Sequence, residues 1–301
     1  MLESSIPYPF PRLSPPMPSI FVTPELAHRL ERAEAQHLAL QVETHARLQP
    51  GQGAGIIPIA GGVAALTSGA FGRKLNHVTG FGLGKSASED ELASLEKRYA
   101  ARGLATEIDI CPYVDTGALQ LLAARGYTVN AFSNTYVKLL DDSILAPTVS
   151  GTQIKAGVAV EIEKVSAANA DSFFAACVAG FSVQAHQRPV VLLQALAQIA
   201  MARGDTRLYI ARVDGKIAGS GGLGLIDPEG AAVAHLYIAS TLPEYRGRGI
   251  QQALLQARLM DARQAGYTLA SITARPSNTS ARNALRAGFE LAYTKSTFVR
   301  G

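Results

Sequence analysis

One stretch of the chain combines residues whose types and spacing suit the binding of a negatively charged group. A predicted strand that contains His235 runs into a turn with Gly247 and Gly249, and an amphipathic helical stretch begins directly after this turn. Glycines let the backbone bend and approach a ligand closely, and the first N–H groups of a helix lack partners within it. Arg246 and Arg248 add positive charge, so phosphate groups are the expected occupants.

The same loop also allows a purely structural interpretation. A glycine-rich turn before a helix is often only a turn, and its arginines can simply be solvated. Gly247-x-Gly249 lacks the third glycine of a dinucleotide fingerprint, and no Gly-Lys-Ser/Thr of a P-loop follows. The residues of the loop by themselves leave a phosphate site and a plain turn open.

Strands and helices alternate around this loop in the second half of the chain. Asp214-Gly215 predicts a tight hairpin between two strands, since both central positions of such a turn favour positive φ. The pattern predicts strands at 160–165, 207–213, 216–226, 232–241 and 270–274, helices at 170–181, 189–203, 249–266 and 280–287, and closing strands after Gly288.

The first half has a similar order of elements. Segments 124–127 and 135–138 match 286–289 and 297–300 in residue class at an offset of 162, which indicates a duplicated α/β unit. The pattern predicts a helix from Thr23 or Pro24 to about Arg47, strands at 55–60, 62–68 and 76–83, a helix at 86–103, a strand at 106–111, a short helix at 116–125 and a strand pair through 127–139. We therefore divide the chain into a Pro-rich arm (1–22), a first unit (23–145), a linker (146–157) and a second unit (158–301).

The loop and its surroundings resemble the GNAT superfamily of N-acetyltransferases. Arg246-x-x-Gly249-x-Gln251 is similar to that family's acetyl-coenzyme A loop, Gln/Arg-x-x-Gly-x-Gly/Ala, and segment 287–289 resembles its late Gly-Phe signature. The order of elements over 158–301 fits as well. The resemblance implies an α/β (α+β) fold of two tandem GNAT-like domains, each a mixed, mostly antiparallel sheet flanked by helices, with a degenerate N-terminal copy.

The resemblance also implies acetyl-coenzyme A (acetyl-CoA) as co-substrate and no metal. For Asn278 the alternative is a role at the start of a helix, where Ser280 is the other candidate cap. The implied cofactor-binding residues are Ala239, Ser240 and Thr241 for pantetheine, Arg246, Gly247, Arg248, Gly249, Ile250 and Gln251 for the pyrophosphate, and Asn278 and Asn283 as late contacts.

Two positions depart from the family pattern. Gln251 stands where the pattern has Gly or Ala, which is tolerated if its side chain points away from the phosphates. Ala284 stands where many members carry a tyrosine as general acid, so Tyr237 or Tyr293 is the candidate replacement. His235 is the candidate general base, with a partly buried, hydrogen-bonded strand histidine as the alternative.

The first half lacks the loop. At the offset of 162, Lys85-Ser86-Ala87 takes its place, and Glu89, Asp90 and Glu91 begin the next helix, where carboxylates repel phosphate. The formal charge follows the same division, at −2 for residues 1–150 and +6 for residues 151–301. The first half is therefore expected to be structural or to contribute to the substrate pocket.

The sequence predicts an N-acetyltransferase that moves an acetyl group from acetyl-CoA to a primary amine by direct attack. The alternative is a non-catalytic sensor that binds coenzyme A or an acyl thioester. A small-molecule or peptide amine is the expected partner, nucleic acid and membrane are not, and a homodimer stays open. The two isolated cysteines and the lack of a signal peptide or of an apolar run of about 20 residues favour the cytoplasm.

Overall fold

A computed structural model of the chain describes residues 20–145, 159–184 and 189–300. The expected linker lies outside these residues, as does all of the Pro-rich arm before residue 20. The first half consists of α1 (Pro24–Leu48), β1 (Gly55–Ile59), β2 (Gly62–Leu66), β3 (Val78–Thr79), α2 (Glu89–Ala100), β4 (Glu107–Ile110), α3 (Thr116–Ala124) and β5 (Tyr127–Leu139). The second half consists of β6 (Val160–Lys164), α4 (Ala170–Gln184), α5 (Val190–Ala202), β7 (Thr206–Val213), β8 (Lys216–Ile226), β9 (Val233–Thr241), α6 (Ile250–Gln264), β10 (Leu269–Ala274), α7 (Thr279–Arg286) and β11 (Glu290–Arg300).

These strands form one mixed sheet in the order β1-β2-β3-β4-β11-β5-β10-β9-β8-β7-β6. The final strands of the two halves have changed places. β5 of the first half pairs with β10, and β11 of the second half pairs with β4. β5 and β11 also pair with each other, antiparallel, at the centre of the sheet. The two halves of the chain therefore form one sheet, in which each half contributes a strand that pairs with strands of the other.

The internal repeat is visible in the positions of equivalent elements. β4 begins at Glu107 and β10 at Leu269, which is the offset of 162 found in the sequence. α3 begins at Thr116 and α7 at Thr279, one residue further apart. The structure thus agrees with two copies of one α/β unit.

Helices cover both faces of the sheet. α6 and α7 share an apolar core with Leu236 of β9, whereas α4 and α5 pack against Tyr237, the next residue along that strand. Because successive strand residues point to opposite faces, these helix pairs lie on opposite sides. α1 lies on the same face as α4 and α5, where Leu30 packs with Val233 of β9. A helix of the first half therefore lies against strands of the second.

Two sequence predictions for the first half are wrong. The strand expected at 76–83 is only Val78–Thr79, and a 3₁₀ segment, Gly69–Leu75, precedes it. Buried Asn76 holds this segment because its amide donates to the carbonyls of Ser68 and Gly72. The strand pair expected at 127–139 is a single long strand, because β5 pairs along its length with β11 and near its end with β10.

The tight hairpin predicted at Asp214-Gly215 is confirmed. Asp214 and Gly215 have φ values of 50° and 72°, as the tight hairpin requires. Cys111 and Cys177 are free and buried. Within the described ranges, no helix combines the length and apolarity needed to cross a bilayer.

Candidate active site

A cavity of about 680 Å³ opens where β9 and β10 separate. The two parallel strands pair only at Ala234 with Ala270 and at His235 with Ser271. Beyond these pairs both strands line the cavity, together with α6, the start of α7, α1, the 3₁₀ segment and α5. The cavity therefore lies at an opening in the sheet, and residues from both halves of the chain line it.

A bulge in β9 shapes the wall of this cavity. The pairing of β9 with β8 skips Ile238 and Ala239, and Ile238 has a φ of 47°. Gly222 of β8 makes room for the bulge, since a Cβ there would lie 2.8 Å from Cγ2 of Ile238. Released from the ladder, this stretch of backbone can present polar groups to a ligand in the cavity.

The predicted anion loop lies at the N-terminus of α6. Gly249 is the N-cap in the left-handed conformation, at φ 77° and ψ 5°, and supplies no side-chain cap. The first turn of α6 contains no acidic residue. Arg248 lies over the ring of Tyr245, 5.5 Å from its centroid. This end of the helix therefore presents uncapped N–H groups and a positive dipole to its surroundings.

The other residues of the predicted cofactor site divide into three groups. Ala239 and Gln251 line the cavity, whereas Ser240, Thr241 and Ile250 are buried, so any contact they make with a ligand is through the backbone. Arg246, Gly247 and Arg248 lie beside the cavity at the start of α6 and do not line it. Gln251 donates from Nε2 to Oγ1 of Thr241 at 2.8 Å, so its side chain is held against β9.

The corresponding end of α2 in the first half is filled by its own side chains. Ser88 Oγ accepts from the N–H of Glu91 at 3.2 Å and donates to the Glu91 carboxylate at 3.1 Å. Glu89 pairs with Arg125 at 3.0 Å. Helix α2 therefore begins with a side-chain cap and three carboxylates, whereas α6 begins with neither.

Both predicted asparagines line the cavity, and each also has a structural role at α7. Asn278 is the N-cap of α7, and its Oδ1 accepts from the N–H of Ala281 at 2.7 Å. Ser280 also lines the cavity but does not cap the helix. The backbone carbonyl of Asn283 accepts from Gln252 of α6 at 3.0 Å, which fixes α7 against α6 beside the cavity.

His235 and Tyr237 face the cavity on the side of α1. Nδ1 of His235 lies 3.0 Å from Ser271 Oγ. Burial lowers the pKa of His235 to about 4, although the nearby Glu34 carboxylate opposes this shift. Tyr237 OH lies 2.9 Å from Thr206 Oγ1, and burial raises its pKa to about 12. At neutral pH the site thus holds a neutral imidazole and a neutral phenol.

His37 of α1 completes an aromatic cluster with these two side chains. Its ring centroid lies 4.8 Å from that of His235 and 4.5 Å from that of Tyr237. Arg203 NH1 lies 3.2 Å from Nδ1 of His37, and because a guanidinium only donates, Nδ1 accepts and the proton resides on Nε2. Burial is the main cause that lowers the pKa of His37 well below its usual range.

Tyr293 lies elsewhere, contrary to the role suggested for it as a replacement acid. It is buried beside α1, and its hydroxyl donates to Glu31 at 2.8 Å. It does not line the cavity. Ala284, at the position of the family's tyrosine, is completely buried in the core between α6, α7 and the sheet. Tyr237 is therefore the tyrosine that lines the cavity.

A contribution of the first half to the pocket is one of the two expectations for it, but the sequence does not identify the residues that form this wall. The signal was present in α1, where polar residues recur at helical spacing within a segment otherwise rich in Ala and Leu. The cavity-lining residues of the first half that the motif did not reveal are Glu34, His37, Leu38 and Gln41 of α1, the run from Gly69 to Lys74, and His77, Asp109 and Ser133.

Comparison with known proteins gives the class of this domain. Residues 173–289 match the model of the Acetyltransferase (GNAT) family. The matched residues lie within the second half of the chain and include the loop whose motif resembles that family. A comparison of the chain with curated proteins finds no match.

Solved structures extend the likeness in fold to both halves. The chain is similar to a GCN5-related N-acetyltransferase from Kribbella flavida, with 18% identity, a TM-score of 0.60 and coverage of 91% of this chain and 95% of the other. It is also similar to a tandem GNAT protein from the clavulanic acid biosynthesis pathway, with 15% identity, a TM-score of 0.56 and coverage of 91% and 94%. A third, a GCN5-related N-acetyltransferase from Sphaerobacter thermophilus, has 15% identity, a TM-score of 0.54 and coverage of 92% and 93%.

Proposed function

We propose that the protein transfers an acetyl group from acetyl-CoA to a primary amine. The observation that carries this proposal is the continuity of two features: the uncapped, acid-free N-terminus of α6 stands next to the gap between β9 and β10. A pyrophosphate suits the first feature, and an extended pantetheine arm suits the second. The N-acetyltransferases among the similar structures support the choice of an amine as acceptor.

The residues of the second half divide the work of binding. Backbone N–H groups from Gly247 to Gln251 hold the pyrophosphate at the positive end of α6. Arg246 contributes its side-chain charge, because its N–H already donates to the carbonyl of Pro243 at 3.2 Å. The backbone of Ala239, Ser240 and Thr241 aligns the pantetheine as an added strand. The bulged segment at Ile238 and Ala239 then lies where an N–H can stabilise negative charge that develops on the thioester oxygen.

The reaction is a direct attack in a ternary complex. The amine nitrogen forms a bond to the thioester carbon, the bond from carbon to sulfur breaks, and the thiolate takes a proton to become free coenzyme A. A primary amine is mainly an ammonium at pH 7 and loses two protons on the way to the amide: one passes to solvent before the attack, and His235, which is neutral at pH 7, accepts the other from the nitrogen after the attack. His235 then returns this proton to Tyr237 once Tyr237 has protonated the leaving thiolate, so both groups are restored. Tyr237 holds its proton at pH 7 and is the donor that can reach the leaving sulfur from the cavity wall.

A sensor that binds coenzyme A without turnover is the second candidate. The observation that favours it is the burial of Ala284 in the core, because the position where many family members carry their acid cannot contribute to chemistry here. The two functions share the cofactor site and differ only in whether thiol is released in the presence of an amine.

A matched pair of substitutions at Gly249 tests the cofactor site. Asn and Asp both tolerate the left-handed conformation of this residue and have the same size, but only Asp carries a negative charge. Gly249→Asp is expected to weaken coenzyme A binding, measured by calorimetry, at least tenfold relative to Gly249→Asn. Equal affinities of the two variants would place the phosphates elsewhere.

Activity is measured in the same proteins by the release of free thiol from acetyl-CoA. Benzylamine, putrescine and glycinamide serve as acceptors, and benzyl alcohol serves as the control without an amine. Amine-dependent thiol release that is lost in Gly249→Asp supports transfer. Tight binding of coenzyme A without release over the whole panel would favour the sensor.

A further inference from the structure

We infer that Glu34, in the first helix of the chain, binds the ammonium group of an acceptor that carries its amine on an apolar body. This inference rests on the proposed function and identifies the class of substrate that enters the same cavity. It also assigns a binding role to the half of the chain that lacks the cofactor loop.

The position of Glu34 is the first argument. Its side chain is 19% exposed and lines the cavity from α1. His235 and Tyr237 face the cavity on the same side. Thr273 of β10, just past the point where β9 and β10 separate, contacts Oε2 of Glu34 at 3.4 Å. A group bound at Glu34 therefore lies beside the opening in which the thioester is expected.

The charge of Glu34 is the second argument. Burial favours the protonated carboxyl, but the ammonium of Lys295, 2.7 Å from Oε2, outweighs it, so the pKa of Glu34 lies below its usual value. Lys295 is completely buried and also lies 3.3 Å from Glu31. Two carboxylates thus share one ammonium, and the contacts of Glu34 with Lys295 and Thr273 are both made through Oε2. Oε1 is the oxygen that a second cation can use.

The other carboxylate of the cavity is less accessible, since its side chain is 4% exposed. Among the described residues, the only carboxylates that line the cavity are Glu34 and Asp109. Asp109 pairs with Arg73 and accepts from Thr297 Oγ1 at 2.6 Å through the same oxygen, and its second oxygen lies 4.0 Å from His77 Nε2. Glu34 is therefore the carboxylate better placed to meet an incoming ammonium.

An apolar part of the cavity wall indicates the rest of the acceptor. Phe71 of the 3₁₀ segment, Leu192 and Leu196 of α5, and Ile238 of the β9 bulge pack in one apolar cluster and all line the cavity. An apolar body buried against these side chains gains about 25 cal/mol per Å² of surface removed from water. A primary amine on an aromatic or aliphatic body therefore suits the cavity: its cationic end lies at Glu34, and its apolar body packs against these side chains.

The test uses benzylamine as a cationic probe and benzyl alcohol as its neutral counterpart. Binding to the full-length protein is measured by ligand-observed NMR titration, which does not depend on acetyl transfer. The natural protein is expected to bind benzylamine at least tenfold more tightly than benzyl alcohol. Absence of this preference would overturn the inference.

Two substitutions on α1 separate the role of Glu34 from a general effect of charge. Glu34→Gln is expected to weaken benzylamine binding at least tenfold and to leave benzyl alcohol unaffected. Glu43→Gln removes an exposed carboxylate from the same helix outside the cavity and is expected to leave both affinities unchanged. An unchanged benzylamine affinity in Glu34→Gln would also overturn the inference.

Calorimetry with coenzyme A distinguishes this inference from the proposed function. Glu34→Gln is expected to bind coenzyme A as the natural protein does, because the contacts of Glu34 are with Lys295 and Thr273 and not with residues 246–251. Loss of benzylamine binding with intact coenzyme A binding supports the inference. Failure of the natural protein to bind coenzyme A would reject the proposed function, and the benzylamine result would then be judged by itself.

If Glu34→Gln does not fold, Glu34→Asp is the second variant. It retains the charge but shortens the side chain by one methylene, so the carboxylate lies further from the bound ammonium. An undiminished benzylamine affinity in Glu34→Asp would contradict the inference.

Discussion

Glu34 Oε2 and Lys295 Nζ lie 2.7 Å apart, and this ion pair joins the first helix of the chain to its last strand. Lys295 belongs to β11, which the strand exchange places between β4 and β5. The same contact therefore links the assembly of the two halves to a carboxylate that lines the cavity. A change at Lys295 is expected to affect both.

Replacing Lys295 by Met is expected to lower the free energy of unfolding by about 3–5 kcal/mol. The substitution keeps an unbranched side chain of similar length but removes the one cation that Glu31 and Glu34 share. Buried carboxylates without a partner are costly, and burial already raises the pKa of Glu31 to about 7. Urea denaturation followed by circular dichroism measures the change.

Lys138→Met is the control for this substitution. Lys138 lies on neighbouring β5, and its exposed contact with the carbonyl of Gly288 is 3.3 Å long. Its loss is expected to change the free energy of unfolding by less than about 0.5 kcal/mol. Equal denaturation midpoints for the two variants would show that the buried cluster does not depend on Lys295.

The sequence predicts local features of this molecule better than it predicts their assembly. The turn at Gly249 and the helix after it depend on residues close together in the chain, so the anion loop can be recognised from its motif. Glu34 acquires its surroundings from β10 and β11, more than 230 residues away. Polar spacing in α1 indicates that a polar group lies on its buried face, but the strand exchange determines which residues meet it.

Separating the two halves is expected to abolish folding of the second one. Residues 159–300 alone lack β5, so β10 and β11 lose the strand that lies between them and expose their backbone hydrogen-bonding groups. This fragment is expected to aggregate or to form exchanged oligomers in size-exclusion chromatography. Co-production with residues 20–145 is expected to restore a soluble complex of the size of the whole chain.

Cleavage of the intact protein within 146–157 is the complementary experiment. Because β5 and β11 are already exchanged, the two fragments are expected to elute together after the cut and to separate only in denaturant. A folded, monomeric second half after cleavage would contradict the exchange.

Acidification is expected to destabilise the protein below about pH 6.5. Burial lowers the pKa of both His77 and His235 to about 4 in the folded chain, whereas an unfolded histidine titrates near 6.5. Between these values the unfolded chain binds more protons than the folded one, so stability falls as the pH falls through this window. Each histidine accounts for up to about 3 kcal/mol of this loss. Urea denaturation at pH 8, 7, 6 and 5 measures it.

His77→Asn and His28→Asn form the matched pair for this experiment. His77 lies beside Asp109 at the cavity, and its replacement removes one of the titrating groups, so the loss of stability between pH 7 and pH 5 is expected to become smaller. His28 lies near the start of α1, away from the cavity, and its replacement is expected to leave the pH dependence unchanged. A natural protein whose stability is the same at pH 7 and pH 5 would show that these imidazoles are not held neutral by burial. The assignment of His235 as an uncharged proton acceptor at neutral pH would then need a different physical basis.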